Sequence, residues 1–307
     1  MRFMYFGTKR LMRWVKVDAP GRAQGTAGYS ERLDYLNGGV GLRESVNAHQ
    51  EFTLTWNSMT RDQARAVTDF AYGIYGSGPI YFVDPVSADQ NILNPAWSAP
   101  GLTAKDAVPL AGRKRPKLVA NPDLSRGYPI DMARYDLTAA DPRRSFYIPI
   151  PPGFTALIGA HGDTASTLDV SVQRTTGGQV TGSHTAVPMQ TTGDKARFSS
   201  AYVSTGDQSG IEISIGAGDG FISLAGLMVQ VMPNGTFPLS LGEGFGDGPF
   251  GNDAFGGADI VGTLGDFILG QGASGCQFEG KPQMTPYSLA HDRVGLSVKL
   301  TEIEDWL

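Results

Sequence analysis

Near the end of the chain, Val294, Leu296, Val298 and Leu300 alternate with Gly295, Ser297, Lys299 and Thr301. This two-residue period is that of a half-buried β-strand and cannot be read as a helix face. A strand this regular needs hydrogen-bonded neighbours, because isolated strands and hairpins are marginal in water. The Gly-rich run that precedes it offers no such neighbour. The economical solution returns the strand to a sheet built by the first part of the chain. The middle of the chain is then an insertion between two halves of one domain, an ordinary topology where the ends of a domain lie close together.

The rest of the sequence reads as strands with one helical exception. Leu11–Val17 and the alternating Phe52, Leu54 and Trp56 are strands, and Gly38–Gly41 reads as a turn or bulge. The exception follows Thr60, which with Gln63 forms a capping box. Ala64, Val67, Phe70, Ala71, Ile74 and Tyr75 then recur at spacings of three and four, predicting about four helical turns stopped by Gly76–Pro79. From Asp84 to Pro122 the text is rich in Pro, Gly, Asn and Ala, which marks a long crossing loop and a boundary.

Beyond it, alternation recurs in Phe146, Ile148 and Ile150, in Leu168, Val170 and Val172, and in Ile211, Ile213 and Ile215. Phe221, Ala225, Leu227, Val229 and Val231 share one parity. Short strands between Gly-rich turns specify a β-sandwich or jelly roll. With 307 residues, 41 Gly and 19 Pro, the expectation is an all-β chain with one α-helix. Its expected parts are a first unit over 1–115, a jelly-roll sandwich over 116–239, and a Gly-rich loop with a closing strand over 240–307 that completes the first unit.

Several chemistries are weighed and set aside. A net charge of −5 gives no general field for nucleic acid, and the basic run Arg113–Lys117 lacks interleaved aromatics and reads as a solvated linker. One cysteine, Cys276, excludes an internal disulfide framework and reads as a small buried hydrophobe. The apolar run Phe3–Phe6 is too short for the core of a signal peptide, and no stretch approaches a membrane span, so synthesis in a cytosol is expected. His49, His161, His184 and His291 are scattered without zinc-site spacing. His161, Asp163 and Ser166 lack a nucleophile elbow.

Gly246–Gly251 matches a dinucleotide fingerprint, but Pro249 and Gly256-Gly257 oppose the helix that fingerprint needs. Glu243, Asp247, Asp253 and Asp259 offer oxygen ligands without a maintained calcium repeat. Glu302 and Glu304 share parity and read as solvent-facing or at a subunit contact. No residue is assigned a catalytic, cofactor-binding or metal-binding role. Tyr128, Tyr135, Tyr147 and Tyr202 are candidate platforms for a sugar ring. The phenylalanines Phe245, Phe250 and Phe255 are candidate anchors for the Gly-rich loop.

A resemblance runs along the whole chain. Phe52-x-Leu-x-Trp56, the helix after Thr60, and Tyr81-Phe-Val-Asp-Pro85 followed by Asn91, Pro95 and Trp97 carry it first. Tyr147–Gly153, Ile158–Gly162 and Met228–Gly235 carry it in the middle, and Gly275–Gly280 with Asp292–Leu300 at the end. In this order they resemble the minor tail proteins, of distal-tail-protein type, of long-tailed phages infecting actinobacteria. The resemblance implies a tail-hub β-sandwich bearing a peripheral, carbohydrate-binding-module-like jelly roll. It implies a structural virion role at the tail tip, without enzymatic activity or cofactor. The implied partners are further copies in a ring, a hexamer first and a trimer next, with the tail tube protein, the tape measure protein and other tail-tip proteins. The alternative is a module that binds host cell-surface glycan.

Overall fold

The computed structural model describes residues 3–16, 22–27, 30–34, 40–44, 49–83, 91–100, 116–120, 131–139, 144–163, 165–168, 170–186, 189–192, 195–203, 210–215, 218–234, 272, 275–288 and 292–303. In chain order the first elements are β1 (Phe3–Thr8), β2 (Leu11–Lys16), β3 (Arg22–Ala27), β4 (Ser30–Asp34), β5 (Val40–Glu44), β6 (His49–Thr60), α1 (Arg61–Ala71), β7 (Tyr81–Val83) and α2 (Pro95–Ser98). Then follow β8 (Lys117–Val119), β9 (Met132–Leu137), β10 (Arg144–Pro149), β11 (Phe154–Gly162), β12 (Val170–Thr176), β13 (Gln179–Ala186), β14 (Met189–Thr192), β15 (Lys195–Val203), β16 (Gly210–Ile215) and β17 (Gly220–Pro233). The closing strands are β18 (Cys276–Phe278), β19 (Gln283–Ser288) and β20 (Arg293–Glu302). The fold is all-β, built from antiparallel sheets, with α1 as the one substantial helix among the described residues.

β20 lies beside β6, with Leu296, Val298 and Leu300 opposite Trp56, Leu54 and Phe52. These six side chains are buried, as the alternation on both strands requires. β18 and β19 pair with the other edge of β20, and β3 pairs with β6. A smaller sheet of order β2-β1-β7 contributes Met4, Phe6 and Val15 to the same hydrophobic cluster. The Trp56 indole N–H donates to the Lys16 carbonyl and ties β6 to the end of β2. Cys276 is fully buried in this cluster, and its backbone exchanges two hydrogen bonds with Ile80, at 2.7 and 2.8 Å.

Helix α1 packs on this cluster through Ala64, Val67 and Phe70, and its Thr60 cap accepts the Gln63 N–H at 3.4 Å. The helix stops earlier than its apolar spacing suggests. Gly73 sits at φ +70°, the Gly73 N–H bonds the Phe70 carbonyl, and the Ile74 N–H bonds the Asp69 carbonyl. That pair of reversed bonds is a Schellman closure, which only a residue tolerant of the left-handed region makes cheaply. Ile74 and Tyr75 therefore leave the helical stripe, and α1 has about three turns.

The second cluster fills a sandwich between a four-stranded sheet, β10-β16-β12-β13, and a six-stranded sheet, β14-β15-β11-β17-β9-β8. Phe146, Ile148, Val170, Val172, Ile211 and Ile213 meet Ala133, Tyr135, Ile158, Leu227, Val229 and Val231 across it. One parity assignment changes here. Between β11 and β17 the register shifts at His161/Gly162, so that Gly226 and Leu224 face consecutive residues. The extra residue on β17 switches the inward face from Leu227, Val229 and Val231 to Leu224 and Ile222. Phe221 is left outside the core with the Arg134 guanidinium 3.7 Å from its ring centre.

The two clusters are joined by elements buried on both faces. Met4 and Phe6 of β1 face one core, while Tyr5 packs with Met12, Tyr81 and Tyr147 on the opposite side. In β7, Phe82 packs on the first core and Val83 enters the second. Tyr81 meets Tyr147 edge-on at 4.7 Å, the Lys9 ammonium lies 5.7 and 5.6 Å from these two ring centres, and Trp14 stands 5.8 Å from Phe154. Gly177 and Gly178, both at positive φ, make the tight turn between β12 and β13. A Cβ on Gly178 would lie 3.3 Å from the Arg10 side chain, so this turn nests against the β1–β2 turn.

A second tie is the segment 91–99. The Ile92 N–H donates to the Val229 carbonyl at 3.0 Å, and Asn91 extends the pairing with its side chain. Its amide donates to the Leu227 carbonyl at 3.0 Å and its oxygen accepts the Val229 and Leu93 N–H groups at 3.1 and 3.2 Å. Asn94 caps α2 by accepting the Trp97 N–H at 2.9 Å, with Pro95 as the first helical residue. Its amide donates to Glu302 at 3.1 Å, on the last strand of the first unit. Trp97 stacks on Phe146 at 4.3 Å. This stretch, expected within a crossing loop, is a buried brace, and Val83 and Leu93 help build the sandwich core although they precede residue 116.

Two expected outcomes follow from these contacts. Leu300→Ala, which opens a cavity opposite Phe52, lowers the unfolding free energy by about 2–5 kcal/mol in denaturant titration; a loss under about 1 kcal/mol contradicts a central position for β20. Asn91→Ala strands buried backbone groups of Leu227 and Val229 and costs about 2–4 kcal/mol. Asn91→Asp, which places a carboxylate against the Leu227 carbonyl, is at least as damaging. Stabilities equal to the parent chain for both Asn91 variants contradict the brace.

Candidate functional site

Among the described residues, the turn that ends α1 exposes two large apolar side chains, Tyr72 and Ile74. In a Schellman closure the residue after the left-handed glycine commonly packs back on the last helical turn. Here the facing position is Asp69, so Ile74 has no apolar seat and remains 63% exposed, beside Tyr72 at 58%. Both are held in place, because the Tyr72 N–H bonds the Thr68 carbonyl and the Gly76 N–H bonds the Gly73 carbonyl.

Cations flank the turn. The Lys281 ammonium lies 5.7 Å from the Tyr72 ring centre, and the Arg13 guanidinium lies 5.0 Å from that of Tyr75. The Arg10 side chain runs beneath Gly76, where an added Cβ would come within 3.3 Å of its Cδ. Among the described residues, none of these three cations has a carboxylate within ion-pair distance. Asp69 on α1 accepts the Tyr75 hydroxyl at 3.3 Å.

Adjacent to Lys281 runs the β18–β19 edge. Gly280, at φ +77°, and Pro282 break this edge between its two pieces. Gln283, Met284, Thr285 and Pro286 are all exposed, and Pro286 removes a ladder donor, as edge strands open to solvent often do. On the same sheet, hydrogen bonds from the Lys299 ammonium and the Thr301 hydroxyl hold the Glu279 carboxyl below the usual range. Glu279 and Glu51, bonded to the same ammonium, raise Lys299.

The residues singled out from the sequence fall elsewhere. Tyr135 and Tyr147 are 4% exposed, so neither is an open platform for a sugar. Burial pushes the Tyr135 hydroxyl well above its ordinary value, and it pushes Tyr5 up to about 12. Tyr128 lies outside the described residues, as do the side chains of Tyr202 and of the four histidines. Ser166 is buried and its hydroxyl accepts the Ser223 N–H at 3.1 Å, while Asp163 accepts the Ala165 N–H at 3.0 Å in the same turn. These two residues strap the β17 strand near Ser223.

Glu302 is buried and not solvent-facing as expected, since it continues the parity of Val294, Leu296, Val298 and Leu300. Its carboxylate accepts the Gln50 N–H at 3.2 Å as well as the Asn94 amide, because the brace covers that end of the strand. Glu304 lies outside the described residues, as does the Gly-rich segment with Glu243, Phe245, Gly246–Gly251, Asp253, Phe255 and Asp259. Of the basic run, Pro116 and Lys117 are described, and Lys117 bonds Asp136 at 3.0 Å. Arg134 and then Lys117 lower the Asp136 carboxyl. The exposed turn after α1 was concealed in the sequence, where Ile74 and Tyr75 extend the helical spacing; Gly73 was the available signal.

No family model and no curated protein matches this chain. Among solved structures, the enzymatically active domain of bacteriophage CBA120 tailspike protein 4 aligns at 11% identity and TM-score 0.27, over 34% of this chain and 16% of that one. The N-terminal endo-1,4-beta-D-xylanase 10B of Clostridium thermocellum, complexed with xylohexaose, aligns at 13% identity and TM-score 0.27, over 50% of this chain and 28% of that one. A structure of infectious bursal disease virus, Gx strain, aligns at 11% identity and TM-score 0.23, over 99% and 80%. This chain thus spans only a minor part of the first two, and overlaps of this quality carry no argument about function.

Proposed function

We propose that this chain is a structural protein of a phage tail tip, assembled as a ring at the distal end of the tail tube and joining the tube to the baseplate or receptor-binding apparatus. The observation that carries the reading is the return of β20 to β6, with Leu300 opposite Phe52. The strand motif Phe52-x-Leu-x-Trp56 and the closing motif Asp292–Leu300 are the two ends of the resemblance to distal-tail-type proteins. They lie side by side in one sheet, with the sandwich emerging between them. That is the arrangement a tail hub with a peripheral jelly roll calls for.

The physical design suits load rather than turnover. A ring subunit that transmits force needs its accessory module fixed in orientation, and here the module is held by β1, β7 and the 91–99 brace. The partners in this proposal are further copies of the chain, the tail tube protein, the tape measure protein and neighbouring tail-tip proteins. The location is the virion. Closed rings of this kind form through heterologous contacts, in which one face of each subunit meets a different face of the next.

The test is to image intact particles with a label on this chain. Density at the distal end of the tail tube is expected, with six copies in a ring or, next, three. A chain absent from the particle, or present there as a single copy, contradicts the proposal.

A further inference from the structure

We infer that the turn ending α1 is a docking surface for the acidic closing segment, Glu304-Asp305-Trp306-Leu307, of a second copy of this chain. The inference rests on the ring reading above and assigns it a contact. Exposed Tyr72 and Ile74 form an apolar centre on a turn fixed by its own backbone bonds. Arg10, Arg13 and Lys281 border that centre, without carboxylate partners among the described residues. The chain as a whole is acidic, at −5, so this local excess of cations selects for an acidic occupant.

The segment after Ile303 has the complementary pattern, two adjacent carboxylates followed by a tryptophan and a leucine. An aromatic and aliphatic pair seated on Tyr72 and Ile74, with acids meeting the cationic border, is the arrangement of an apolar interface core and a charged rim. The last described residue before the segment is anchored: the Ile303 N–H bonds the Gly275 carbonyl at 2.8 Å at the end of β20. When the segment of one copy docks on the turn of the next, the contact is heterologous, and it closes a ring where the rotation between copies allows it.

The test uses the full chain in two arms. In the first, a fluorescent synthetic peptide of residues 301–307 is titrated with the parent protein and with Arg13→Glu/Lys281→Glu, both positions being exposed, at a temperature below the unfolding transition of both proteins. Saturable binding is expected, weakened about tenfold or more by the charge reversal. Equal affinity for the two proteins, or equal binding of a scrambled peptide, overturns the inference.

In the second arm, native mass spectrometry follows assembly. Arg13→Glu/Lys281→Glu and Glu304→Lys/Asp305→Lys are each expected to lose the ring, and the chain carrying all four changes regains it. A parent ring that survives the first pair of changes overturns the docking surface and leaves the ring reading standing. A parent chain that never assembles and is absent from particles defeats the ring reading, and the peptide arm then decides the docking surface alone.

Discussion

The structure depends on burying β1 and β7 on both faces. A three-stranded sheet with one wet face would leave the sandwich as a pendant module. Here Tyr5, Met12 and Tyr81 on one side and Met4, Phe6 and Val15 on the other make the small sheet a shared wall. Each aromatic in such a wall removes a large apolar area from water, and edge-on pairs such as Tyr81 with Tyr147 add directional preference to that gain. The close approach of the β1–β2 turn to Gly178 then fixes the angle at which the two bodies meet.

The brace at residues 91–99 completes the wall with polar chemistry. β9 covers only the first part of β17, ending opposite Leu224, and the remaining edge has donors and acceptors to satisfy. Asn91 supplies both kinds of group from one amide, and Asn94 carries the connection on to Glu302. Buried polar networks of this kind contribute little net stability when complete but are costly when broken. They specify one orientation of the two bodies more than they strengthen either.

Much of the first unit was legible in the sequence because its strands each bury one face. The alternation in Phe52–Trp56 and Val294–Leu300 shows that directly, and their pairing followed from the need of a regular strand for a neighbour. The double-sided strand β1 was not legible. Phe3-Met-Tyr-Phe6 has no alternation, and a short apolar run carries no sign of which core it joins. The brace was hidden for the opposite reason: Asn91, Asn94 and Pro95 are residues of turns, and their burial depends on an edge of β17 far away in sequence. A bulge in β17 altered the parity at Phe221, and Gly73 cut the helical stripe before Ile74 and Tyr75. That last departure exposed the apolar turn on which the candidate interaction surface is built.

Native-state hydrogen exchange of the Ile92 and Val229 amides tests the unity of the two cores most directly. These donors make the bonds that close the brace on β17, to the Val229 carbonyl and the Asn91 side chain. If the brace belongs to both cores, both amides exchange only with the slowest class, alongside Ile80 and Cys276 of the first core. Exchange of Ile92 and Val229 at the rate of freely opening surface segments, with Ile80 and Cys276 still protected, would contradict the account and leave the sandwich as an independent body on a tether.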